Sequence, residues 1–110
     1  MLVTNRFVIA EDAAGSFTER AHAALAALAT RPGYRRGRLL RALDDPRHWS
    51  MLTEWESVGS YRRALSAYDV KVTAVPLLSL AIDEPSAYEL LGDDDVNRAV
   101  PRVLGGREAD

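Results

Sequence analysis

The sequence predicts a single α+β domain with ferredoxin-like, split-βαβ topology and a four-stranded antiparallel sheet. Three observations predict it. Segments with the two-residue period of strands and the 3.6-residue period of helices follow in the order strand, helix, strand, strand, helix, strand. The second and third strand segments are separated only by Asp44-Asp45-Pro46-Arg47, a turn signal that makes them a hairpin. The chain has 110 residues, 47% hydrophobic and 27% charged, the size and balance of one globular core.

Residues 2–10 form the first strand, with Val3, Asn5, Phe7 and Ile9 on one face and Leu2, Thr4, Arg6 and Val8 on the other. Asp12 or Ser16 can cap the helix that follows. Phe17, Ala21, Ala24, Leu25 and Leu28 recur along it as one apolar stripe, and Arg31-Pro32-Gly33 ends it. The second strand runs from Tyr34 to Leu43, studded with Arg35, Arg36, Arg38 and Arg41. The third runs from His48 to Glu56, with Trp49, Met51, Thr53 and Trp55 on one face. Closing the hairpin at Asp44–Arg47 places Arg35 near Glu56, a favourable cross-strand pair. Ser57 is the expected N-cap of a second helix carrying Val58, Tyr61, Ala64 and Leu65 on one stripe. Residues 68–75 suggest a further short helix that Pro76 interrupts. Glu84 to Leu91 reads as a fourth strand, with Pro85 confining its start to an edge. The domain thus spans 1–91, and 92–110 is expected to be a mobile tail or an arm on a partner.

Composition narrows the function classes. A net charge of −2 provides no basic footprint for nucleic acid and no polybasic face for a membrane. Without cysteine there is no disulfide scaffold, thiolate zinc site or cysteine nucleophile. Two histidines, His22 and His48, are too few for a histidine-rich metal site, so no metal is expected. No apolar run is long enough to span a bilayer, and the N-terminus does not have the pattern of a secretory leader. The expected compartment is the cytosol. Apolar residues on both faces of the first strand, in a chain with two helices to cover one face, point to a homodimer.

Thr53-Glu54-Trp55-Glu56-Ser57 at the end of the third strand, Tyr61 on the helix behind it, and the Arg31-Pro32-Gly33-Tyr34 corner resemble the antibiotic-biosynthesis monooxygenase family over residues 2–91. The resemblance implies a dimeric α/β barrel. One branch of that family degrades haem; this chain is similar to it at Asn5. It has no His between Asp69 and Val75 to hold the iron, and Ala64 stands where that branch has a Trp. Another branch oxidises aromatic polyketide phenols with molecular oxygen, without metal or flavin. This chain resembles it at Trp55 and Tyr61, but has Met51 in place of an Asn and Val75 or its neighbours in place of an Arg.

The expected site residues follow. Asn5, a polar residue in an apolar row, is either a satisfied core amide or a hydrogen-bond donor to a ligand oxygen. Trp55 is core or a wall of an aromatic pocket, and Tyr61 is a packed phenol or a proton-transfer group. Asn5, Trp55 and Tyr61 are the catalytic candidates. His22, at the edge of the first helix stripe, joins Met51 and Tyr68 as substrate-binding candidates, His22 acting as a base only if it points into the cleft. The arginines of the second strand form an ion-pair lattice or, less favourably, an anion groove. The resemblance implies a monooxygenase that needs no cofactor and takes an aromatic or polycyclic phenol and O2. A barrel that binds a small ligand without chemistry, or a haem degrader, are the alternatives.

Overall fold

The computed structural model describes residues 1–92. β1 (Leu2–Val8) leads through a 3₁₀ turn at Glu11–Ala13 into α1 (Ala14–Ala29). The hairpin β2 (Tyr34–Arg41) and β3 (His48–Trp55) follows, then α2 (Val58–Ser66), α3 (Tyr68–Thr73), α4 (Val75–Leu78) and β4 (Ala87–Tyr88). The sheet order is β2-β3-β1-β4, antiparallel throughout. This is the α+β, ferredoxin-like order expected from the sequence. The sheet of one chain is open and does not close into a barrel.

One face carries the core. Val3 and Phe7 of β1 and Trp49, Met51, Thr53 and Trp55 of β3 are buried against Phe17, Ala21, Ala24 and Leu28 of α1. Ala64 of α2, Val70 of α3 and Leu77 of α4 complete it. The alanines of α1 let its backbone lie close to the strands. On the other face Leu2, Thr4 and Leu52 are half-buried and Val8 and Leu40 are exposed.

Several boundaries differ from expectation. β1 stops at Val8, although Ile9 still donates its N–H to the Arg47 carbonyl at 2.8 Å. Neither Asp12 nor Ser16 caps α1; Asp12 lies in the 3₁₀ turn, and the Ser16 hydroxyl donates to the Ala13 carbonyl. β2 ends at Arg41 because Asp45 builds the turn, accepting from the Arg47 N–H. Pro76 starts α4 rather than ending a helix, since its missing N–H costs nothing in a first turn. β4 shortens to two residues, and the stretch before it is held by Ile82 N–H to the Arg6 carbonyl and Thr4 N–H to the Ser86 carbonyl. The Arg6 guanidinium forks onto Glu84 at 2.7 and 2.9 Å.

The hairpin register also differs. Tyr34 pairs with Trp55 but Arg36 with Glu54, so a β-bulge leaves Arg35 as an extra residue. Both arginines then reach one carboxylate, at 3.9 and 3.1 Å, and the expected Arg35–Glu56 pairing is replaced by Arg35–Glu54 and Arg36–Glu54. Ser57 caps α2 as expected, within a box in which the Ser60 hydroxyl answers the Ser57 N–H. No helix among the described residues is long and apolar enough to cross a membrane. The expected tail, apart from Gly92, lies outside the described residues.

Candidate functional site

β3 builds the site because every second residue faces the helices. At one end of its inner row Trp55 is fully enclosed, 0% exposed. Its indole Nε1–H donates to Thr53 Oγ1 at 2.9 Å. The Tyr34 ring meets it edge-on, 5.3 Å between centroids and 85° between planes. Tyr61, carried behind the sheet by α2, meets it at 5.4 Å and 56°. Such tilted and edge-to-face contacts are the favoured geometries of aromatic pairs. Burial raises the pKa of both the Tyr61 and Tyr34 phenols, because the phenolate would lose hydration. Near neutral pH both hydroxyls are therefore donors rather than bases.

Tyr34 reaches this cluster through the helix-to-strand corner. Gly33 has φ +90°, open to glycine, and a Cβ there would stand 2.4 Å from the Ser60 Cβ. Gly37 makes room further along β2, where a Cβ would stand 2.4 Å from the Tyr34 hydroxyl.

Asn5 belongs to a second region. It pairs with Met51 in the β1–β3 register and is half-buried. It lines a cleft of about 330 Å³ with Thr4, Ser79, Ile82, Asp83 and Ser86, between β1 and the chain after α4. Met51 is 1% exposed and fills the inner face opposite Asn5. Met51 and Trp55 stand four positions apart on β3, about 13 Å along a strand. The structure thus brings Trp55 to Tyr61 and Met51 to Asn5, in two regions of one sheet face.

The remaining candidates stand apart. His22 is exposed on α1, and Tyr68 is 78% exposed at the start of α3. His48 lies beside Asp45 at the hairpin turn, 3.2 Å away. The sequence reading assigned no role to Tyr34 or Thr53. The hairpin register is the signal for Tyr34, since it sets residue 34 against Trp55. For Thr53 the signal is a polar residue in an apolar row, the same one that singled out Asn5. No group of three or more His, Cys, Asp or Glu placed to hold a metal occurs among the described residues.

Comparison with known proteins adds to this geometry. The model of a family described as antibiotic biosynthesis monooxygenase matches residues 1–74. SnoaB, a cofactor-independent oxygenase from Streptomyces nogalater, is 26% identical; the match covers 84% of this chain and 96% of that one, with a TM-score of 0.66. Rv0793 from Mycobacterium tuberculosis is 15% identical over 84% of this chain and 95% of its own, TM-score 0.66. A conserved protein from Methanosarcina mazei Go1 is 20% identical over 78% and 84%, TM-score 0.64. The last two speak for the fold alone. No curated protein matches the chain.

Proposed function

The chain belongs to the antibiotic biosynthesis monooxygenase family, and from that premise we propose that it is a cofactor-independent monooxygenase acting on an aromatic or polycyclic phenol-type substrate. Family membership and the likeness to SnoaB support a monooxygenase-type function. In the proposed reaction the substrate, as its oxyanion, gives an electron pair at carbon to O2 and forms a C–O bond. The peroxide then takes up a proton and, as the same carbon loses another, the O–O bond breaks. A CH2 group and O2 become C=O and water, so no outside reductant is consumed. The protein supplies binding, a dry surrounding and donors to the developing oxyanion.

The Tyr61 phenol carries the reading. It is half-buried, rests on Trp55 and is held protonated by burial. In the proposed site it donates a hydrogen bond to substrate oxygen, and proton removal falls to another base or to water. The Asn5 amide, lining the separate cleft beside β1, is a second donor, and Met51, enclosed like Trp55, packs beside it without touching a ligand. Trp55 acts from behind Tyr61, because an enclosed ring touches no ligand. His22 and Tyr68, outward-facing, have no part in this site. The same reading takes the protein as a homodimer, joined through the open sheet face and working in the cytosol.

Oxygen uptake with a panel of anthrone-like phenols tests the proposal. Wild type should exceed the buffer blank, and Asn5→Ala should fall roughly tenfold or more. Uptake equal to the blank across the panel sinks it in favour of binding without chemistry, a reading that the lack of a strong base and of an Arg at Val75 or its neighbours favours. A Soret shift on adding haemin would support the haem-degrading alternative.

A further inference from the structure

Thr53 is a hydroxyl in a row otherwise built of Trp49, Met51 and Trp55, and it is 3% exposed. A buried hydroxyl that does nothing is costly compared with Val, which has nearly the same shape and a high strand preference. Thr53 Oγ1 has one evident use: it accepts the Trp55 indole N–H at 2.9 Å. Residues two apart on a strand share a face, so this bond runs along β3 and decides which edge of the indole points back down the strand. The buried N–H has its need for an acceptor met there.

The indole so held is flanked on two sides. Tyr34 stands edge-on to it and Tyr61 leans against it. The Tyr34 hydroxyl lies in the space that a side chain at position 37 would need, near Thr53 Cγ2. Because Tyr61 rests directly on the indole, a rotation of the indole reaches Tyr61 through that contact.

We propose that Thr53 is a positioning residue: through its bond to Trp55 it fixes the direction in which Tyr61 presents its hydroxyl to substrate. The inference rests on the role given to Tyr61 above and adds the residue that aims it.

The test compares Thr53→Val, which deletes the acceptor, with Thr53→Ser, which keeps it. Trp49 and Trp55 give the two indole N–H resonances of the chain, and Trp49→Phe assigns them. The Trp55 indole proton should shift and exchange about tenfold faster with solvent in Thr53→Val, and remain near wild type in Thr53→Ser. In oxygen uptake, kcat should fall about tenfold in Thr53→Val with KM within about twofold, and Thr53→Ser should restore it. A moved indole resonance with unchanged kcat overturns the proposal and leaves the bond a structural one; an unmoved resonance overturns it at its first step. If wild type consumes no oxygen, the oxygenase reading fails by itself, and positioning is read from the Tyr61 ring resonances. These should move in Thr53→Val and not in Thr53→Ser; unmoved Tyr61 resonances in Thr53→Val overturn it.

Discussion

Tyr61 joins three facts at one side chain: a place on the inner stripe of α2, contact with Trp55 and a pKa raised by burial. The raised pKa has a definite sign in stability. Folding favours the neutral phenol, so its contribution is complete below the unfolded value of about 10 and is lost as pH climbs through the higher folded value. The donor role has the same alkaline limit. Tyr61→Phe keeps the ring and removes the hydroxyl. It should lower kcat by roughly 10²-fold, leave the thermal midpoint at pH 8 close to wild type and abolish the alkaline limb of a pH profile of oxygen uptake. The alkaline loss of stability should persist in part, because Tyr34 is shifted in the same direction by the same cause. At this scale the sequence picked out Asn5, Trp55 and Tyr61 from their neighbours. Residue spacing contains no cross-strand register, so it could not show that Asn5 and Trp55 stand in separate regions, or that Tyr34 completes the cluster. The exposure of His22 depends on how α1 rotates over the sheet, and a residue at the edge of a stripe falls on either side of that line.

The elements most legible in the sequence are those with a long, clean period. β1, α1, the hairpin and α2 all occur where expected, within a few residues at their ends. β4 was the least legible: its pairing with β1 spans two residues, and its neighbours are held by single hydrogen bonds and the Arg6–Glu84 fork instead of a ladder. Those are long-range partners that no local pattern contains. The α1-to-β2 corner depends on Gly33, whose positive φ and contact with Ser60 leave no room for a side chain. Gly33→Ala should therefore cost about 2–3 kcal/mol. Ser57→Ala, which removes only the cap oxygen of α2, should cost about 1 kcal/mol. Urea unfolding followed by circular dichroism checks the ranking, with equal midpoints for the two variants counting against it.

For the whole molecule, helices cover one face of the sheet and leave Leu2, Val8, Leu40 and Leu52 on the other. An apolar surface of that kind, with arginines of β2 at its edge, suits a second copy of the chain. Light scattering at micromolar concentration should return twice the mass of one chain, and Leu40→Glu should halve it with the circular dichroism spectrum unchanged. A single-chain mass for wild type would reject the dimer. The fold class was legible from the order of elements alone, and the sheet that those elements form is open. A strand, with its repeat of two, behaves like a text with a reading frame: losing a letter turns every inward side chain outward. The bulge provides β2 with a spare letter, because Arg35 stands outside the ladder between Tyr34 and Arg36. A one-residue deletion before Gly37 is absorbed there, with Tyr34, Gly37 and Leu39 still facing the helices. The same deletion at Arg38 finds no spare residue and turns half of the strand inside out.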